Sequence, residues 1–226
     1  MYYLTGTIQD GVLVLRRNGD VLFFVRRSFE RAQAESPLDA VYPMKSYRDM
    51  RDYLPSDLGR TFVETDQVPI AVLGRLKKYF RFETVLPLDP VMLSIRAVKS
   101  QYELEFLRYA GREHDHFLME VVPEILHEGM SEAQLFGELY SAMMDLHYQG
   151  VVRFSGFGTE MQIGQMGFGT TTLVATCFDG PGGMQGASAV VPSVGGRDRL
   201  LAKGDLVFVD IGYGYNGYHT DKTQVY

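Results

Sequence analysis

The sequence predicts an α/β chain of α+β character built in two parts, and three observations carry that expectation. Asn18-Gly19 sits between two apolar runs near the start and is followed by strand, helix and strand signals. Two stretches with capping-box beginnings and helical spacing fill residues 100–146. From Val151 the chain turns to Gly, Thr and Ser with β-branched runs, the composition of strands and loops.

The hairpin is expected over Gly11 to Arg27, because Val12-Leu13-Val14-Leu15 and Val21-Leu22-Phe23-Phe24-Val25 flank a pair that accepts the positive φ angles of a tight turn. Arg60 to Thr65 and Thr84 to Leu88 read as strands. Between them Ile70, Leu73, Leu76 and Lys77 recur at helical spacing and place a helix within residues 68–82. This small α/β part closes near Pro90, and the domain boundary is drawn between residues 97 and 98. Ser100-Gln101-Tyr102-Glu103 then has capping-box form, and Leu104, Leu107, Gly111, Phe117, Leu118 and Val121 carry a helical stripe to Pro123. Ser131 with Gln134 repeats the box, with Leu135, Leu139, Met143 and Leu146 facing inward.

A chain of 226 residues with 46% hydrophobic content can bury a sizeable core. Its net charge of -6 comes from 28 acidic and 22 basic residues without a like-charge block or basic stripe, which argues against a nucleic-acid partner. Cys177 is the one cysteine, so an internal disulfide is excluded and a reducing compartment is expected. No apolar run is long enough to cross a bilayer and the first residues lack a leader pattern, so the expected location is cytoplasmic.

The chemistry gathers at the carboxyl end. Asp205 follows Lys203-Gly204 in a turn, four apolar residues lead to Asp210, and a Gly/Tyr-rich segment leads to Tyr218-His219-Thr220-Asp221. Read as a hairpin, the odd separation of Asp210 and Asp221 allows them to sit directly opposite on one face, with Cβ atoms about 5 Å apart. Two ionised carboxylates that close, beside an apolar strand, repel and resist desolvation unless a proton or cation intervenes. A hard or borderline divalent ion is the natural counterion. On spacing alone, an Asp in a Gly-rich hairpin is more often a turn-former or a solvated charge than a ligand.

Val209-Asp210-Ile211-Gly212, then Gly217-Tyr218-His219-Thr220-Asp221-Lys222-Thr223, resembles the two-aspartate signature of methionine aminopeptidases, prolidases, Xaa-Pro aminopeptidases and creatinases. Tyr3-Leu4-Thr5-Gly6 resembles the first strand of a creatinase-type N-terminal domain. Ile95 to Ser100, Glu103-Leu104 and Leu107 to Gly111 resemble the helix that leads into the catalytic domain, and Gly129-Met130-Ser131-Glu132 also matches. The resemblance implies a creatinase-type N-terminal domain over 1–97 and the first half of a pita-bread catalytic domain over 98–226. It implies two divalent metal ions, manganese, cobalt or zinc, whose bridging hydroxide attacks a carbonyl next to proline. Asp210 would chelate one ion and Asp221 would bridge both. It further implies a small peptide or peptide-like substrate and a homodimer. A His and two Glu ligands are expected from sequence beyond Tyr226, and a further segment before Tyr3, so the chain is expected to be part of a longer protein.

Two positions depart from the family pattern. Pro192-Ser193 stands where the family has Pro-His, which makes Ser193 the expected substrate contact and weakens the expectation of ordinary Xaa-Pro cleavage, because a hydroxyl cannot shuttle a proton near neutral pH. Gln224 stands where the family commonly has Arg. A non-peptidase enzyme on the same fold, creatinase-like or a lyase, and a binding protein with a decayed site are the alternatives. His114 and His116 are expected on solvated surface, pointing apart. His219 is expected on the face opposite Asp221, in a structural role. Gly180-Pro181-Gly182-Gly183 reads as a turn, and Met161, Met166 and Met184 as core.

Overall fold

The computed structural model describes every residue except Ser155, Phe157 and Asp179, and the chain divides into two units, Met1–Ala97 and Val98–Tyr226. In the first unit Tyr2–Thr5 forms one helical turn, α1, where a strand is expected. Gly6 causes the difference: at φ 69° it returns its N–H to the Tyr2 carbonyl and closes the turn, a conformation glycine enters without steric cost. Strands β1 (Gly11–Leu15) and β2 (Val21–Val25) pair antiparallel. After α2 (Phe29–Glu35), β3 (Val41–Pro43) adds to β2 in parallel. Strands β4 (Arg60–Val63) and β5 (Thr84–Pro87) pair in parallel around α3 (Ile70–Leu76), and α4 (Asp89–Ala97) ends the unit. Phe24, Met44, Met50, Leu54 and Phe80 form its main core.

The second unit opens with α5 (Gln101–His116). The Ser100 hydroxyl accepts from the Glu103 N–H at 3.3 Å, and the Glu103 carboxylate accepts from the Ser100 N–H at 2.7 Å. A wider π turn over Phe117–Val121 passes into α6 (Val122–Ile125), so Pro123 begins a helical segment, where its missing N–H costs nothing, and does not end the stripe. Helix α7 (Glu132–Asp145) carries the second capping box, Ser131 with Gln134. A short pair, β6 (Val152–Arg153) and β7 (Glu160–Met161), precedes an antiparallel sheet of order β10-β9-β8, built from β8 (Gly164–Phe168), β9 (Val207–Tyr215) and β10 (Tyr218–Val225).

Alternation along β9 divides this sheet into two faces. Val207, Val209, Ile211 and Tyr213 join the core with Ala110, Phe117, Leu118, Leu135, Leu139 and Met143. Each such aliphatic side chain contributes roughly 2 kcal/mol by leaving water. On β10 the residues of the same face reach α5. Tyr218 donates to Glu103 Oε1 at 3.2 Å, Thr220 Oγ1 lies 2.9 Å from His114 Nδ1, and Lys222 Nζ lies 2.7 Å from Asp115 Oδ1. Phe208, Asp210, Gly212 and Gly214 therefore occupy the opposite face, together with His219, Asp221, Thr223 and Val225.

Candidate metal centre

A two-residue turn sets the register of the carboxylate face. Asn216 and Gly217 both have positive φ, 48° and 84°, as a type I′ turn requires, and Tyr215 pairs directly with Tyr218. Counting back from that pair, Asp210 meets Thr223 and Asp221 meets Gly212. The two carboxylates share a face, but they are diagonal neighbours about 7 Å apart and not the directly opposed pair that spacing alone suggests. What fixes this is the two-residue length of the loop at Asn216-Gly217.

Asp210 is half-buried and its Oδ1 accepts from the Thr223 hydroxyl at 2.5 Å. On its other side β8 places Gln165 directly opposite, buried, with Oε1 accepting from Thr176 Oγ1 at 2.8 Å. Gly180 faces the second carboxylate oxygen: a Cβ there would stand 3.1 Å from Asp210 Oδ2, so the absent side chain keeps space in front of it. Asp221 lies at an exposed position, yet partial desolvation, and then the Asp210 charge, hold its pKa above the usual aspartate value. A carboxyl burdened in this way is one that a cation would relieve.

Ser193 is half-buried in the turn after the Ser188–Val191 bridge, and no hydrogen bond among the described residues ties it to either carboxylate. His219 is on the same face as Asp221, not the opposite one, since residues two apart along a strand point the same way. Its Nε2 lies 2.7 Å from Gln149 Nε2 and 3.4 Å from the Val151 carbonyl. His114 also departs from expectation. It is 2% exposed, on the α5 stripe that carries Ala110 and Phe117 inward, whereas His116 is exposed beside Glu120. Desolvation, aided by the Lys222 charge, lowers the His114 pKa to about 4, so the ring is neutral.

Next to Thr223 an open hollow of about 470 Å³ is lined by Leu173, Pro181, Gly182, Phe208 and Val225 among others. Gly182 lies on the Phe208 ring, where a Cβ would approach to 2.7 Å. Met161, Met166 and Met184 are buried, as gap-filling core residues should be.

Two carboxylates on one face, the second burdened by partial desolvation and by the charge of the first, with side-chain-free space at Asp210 Oδ2, fit a divalent cation as a partial donor set. Among the described residues, no group of three or more His, Cys, Asp or Glu gathers to complete it. Gln165, Thr223 and Gly180 escape a reading based on ligand-type residues, because an amide, a hydroxyl and a bare backbone are not recognisable as neighbours of Asp210 until the strands are paired. Among the described residues no helix is long and apolar enough to cross a membrane.

Residues 1–98 match the Creatinase/Prolidase N-terminal domain and residues 105–226 match Metallopeptidase family M24. The chain is 21% identical to an Xaa-Pro dipeptidase of Pyrococcus horikoshii, over 99% of this chain and 56% of that protein. It is 31% identical to the probable dipeptidase PepE of Mycobacterium tuberculosis, over 72% of this chain and 36% of that protein. Among solved structures, the prolidase from Pyrococcus horikoshii OT3 superposes with a TM-score of 0.73 at 20% identity, over 99% of this chain and 56% of that one. The dipeptidase PepE from Mycobacterium ulcerans gives 0.67 at 24% identity, over 100% and 56%. The chain thus spans about half the length of the Xaa-Pro dipeptidase and prolidase chains it matches, and it shares their mixed α/β fold across that half. With more than half its residues matching that family model, behind a creatinase/prolidase N-terminal domain, the chain belongs to metallopeptidase family M24.

Proposed function

We propose that the protein is a metal-dependent hydrolase that cleaves a C–N bond in a small peptide or peptide-like substrate. Asp210 and Asp221 contribute carboxylates to two divalent ions, manganese, cobalt or zinc. The observation that carries this reading is the shared face of the two aspartates, with the pKa of Asp221 raised by partial desolvation and then by the charge of Asp210. The peptidase names of the relatives support the reaction class.

When bound, the ions supply electrophilic activation of the scissile carbonyl and of water. The chain's own residues do the positioning. Thr223 fixes the rotation of the Asp210 carboxylate through Oδ1 and leaves Oδ2 toward the open space at Gly180. The hollow beside Thr223 offers apolar contact to a substrate, and Ser193 offers a hydroxyl in place of an imidazole. The domains are 1–97 and 98–226, and the working form is a cytoplasmic homodimer. A single exposed cysteine, Cys177, suits that compartment.

A panel of dipeptides incubated with the manganese-loaded protein tests the proposal. The expected result is chelator-sensitive cleavage of non-proline dipeptides with weak or absent Xaa-Pro cleavage. Rapid Xaa-Pro hydrolysis would show the missing imidazole to be dispensable, and a protein with no hydrolysis and no bound divalent ion would contradict the reading. Ser193 favours one second reading, non-peptidase chemistry on the same fold. Turnover of a non-peptide C–N substrate without dipeptide cleavage would establish it.

A further inference from the structure

Glu132 is 1% exposed, the least exposed carboxylate among the described residues, and no step of the proposed reaction uses it. It begins α7, where the helix end favours negative charge. Its Oε1 accepts from the Phe168 N–H at 3.0 Å and from the Thr171 hydroxyl, and its Oε2 accepts from the Gly196 N–H at 3.1 Å. The backbone is engaged as well. Ala133 N–H donates to the Gly196 carbonyl at 3.0 Å, and a Cβ on Gly195 would stand 2.5 Å from the Glu132 carbonyl oxygen.

Phe168 and Gly196 bracket a long excursion of the chain, residues 169–195, between β8 and the approach to β9. One carboxylate therefore fastens both of its ends. From the first end the hold passes inward through backbone bonds. The Thr172 carbonyl accepts from Gly183 N–H at 2.7 Å, and the Val174 carbonyl accepts from Met184 N–H at 3.0 Å. A Cβ on Gly183 would stand 1.9 Å from the Val174 oxygen, so the two arms can approach only at a glycine. Gly180, three residues before Gly183, faces Asp210 Oδ2, and Thr176 ties the same excursion to Gln165.

We propose that Glu132 is a positioning residue for the carboxylate site. It acts through the 169–195 excursion, whose Gly180 defines the space in front of Asp210. The proposal rests on the metal-site reading of Asp210. An enclosed carboxylate with three donors is a strong fastening, because charge-assisted hydrogen bonds are roughly twice as strong as neutral ones and leaving the donors unpaired is costly.

The test compares Glu132→Gln, Thr171→Val and Thr171→Ser with the parent protein by manganese calorimetry and amide hydrogen exchange. Glu132→Gln keeps the shape but forces one amide N–H₂ against a backbone donor. It should weaken manganese binding by up to about 10-fold, the low end of the loss on removing a group bonded to a metal ligand, because Glu132 acts from further out, through the excursion. Exchange should speed up within 169–195 while β9 and β10 keep parent protection. Thr171→Val should show a smaller loss and Thr171→Ser parent affinity. A folded Glu132→Gln protein with affinity within about two-fold of the parent overturns the proposal, as does exchange that accelerates equally in β9 and β10. If Glu132→Gln fails to fold, Thr171→Val is held to the same two criteria. A parent protein that binds no manganese overturns the metal reading and this role together, whereas a binding parent with an unaffected variant overturns this role alone.

Discussion

The β1–β2 and β9–β10 hairpins both turn on Asn-Gly, yet the first uses a three-residue loop, Arg17 to Gly19, and the second only two residues. In the first, Arg16 N–H reaches the Asp20 carbonyl and only Gly19 has positive φ, 96°. In the second, Asn216 and Gly217 both do. The dipeptide marks the place of a turn in each case, and the loop length decides which residues meet. In β1 four of five positions are half-buried, so its two faces differ little. In β9–β10 one face is core and the other carries two carboxylates, so register there decides whether Asp221 meets solvent or the α5 helix.

The largest expected effect follows from shifting β10 behind its turn. One glycine inserted between Tyr218 and His219, behind the unchanged Asn216-Gly217 turn, slips the rest of β10 by a residue, brings Asp221 opposite Ile211 and turns it toward the core. Manganese binding should disappear and stability should fall by on the order of 3 kcal/mol or more, the scale of a buried unpaired charge. The same insertion between Asn18 and Gly19 should leave manganese affinity unchanged. Calorimetry and urea denaturation on both variants check this, and parent-like binding after the insertion at Tyr218 would show that register does not matter to the site.

These two hairpins also show what the sequence makes legible. Helices α5 and α7 can be read directly because Ser100 with Glu103, and Ser131 with Gln134, are local reciprocal caps. The aspartates can be read as a motif, and their shared face as a matter of parity. Their diagonal placement needs the turn type, which Asn216-Gly217 encodes only when the pairing is counted outward from it. The role of Glu132 depends on donors from Phe168, Thr171 and Gly196, and burial of His114 depends on Thr220 arriving from β10. Those contacts exist only after the chain has closed, so local periodicity cannot supply them. The helical turn at Tyr2–Thr5 differs from the expected strand for another reason: a single left-handed glycine outweighs a short aromatic run with strand propensity.

The core face of the second hairpin has its own pH signature. His114 faces Thr220, Tyr213, Asp115 and Lys222, and its folded pKa of about 4 lies below the ordinary 6.5. The neutral ring is the form that fits, so its contribution is complete above pH 6.5 and is lost as pH falls toward 4. The full loss is about 3 kcal/mol. In metal-free protein the raised Asp221 acts with the opposite sign, because its ionisation opposes folding and that penalty is relieved as pH falls through its folded pKa. Denaturant melts of the parent and His114→Gln in chelator should differ in slope between pH 6.5 and 4. Superimposable curves would show His114 to be solvated.

A smaller effect separates the two faces of β10. Thr223→Val removes the hydroxyl on Asp210 Oδ1 and should weaken manganese binding about 10-fold, or about 1.4 kcal/mol. Thr220→Val, on the face toward α5, should leave manganese affinity as it is and lower stability by about 1 kcal/mol through the lost His114 contact. Equal effects of the two variants on metal affinity would mean that the faces are not functionally distinct.

Manganese titration by calorimetry of the parent, Asp210→Asn and Asp221→Asn proteins tests the central claim most directly. Each substitution keeps the side-chain shape and removes one ligand charge, so both should weaken binding by more than the ~10–100-fold expected from losing an outer partner. Unchanged stoichiometry and affinity in both variants would contradict the assignment of this face as a metal centre.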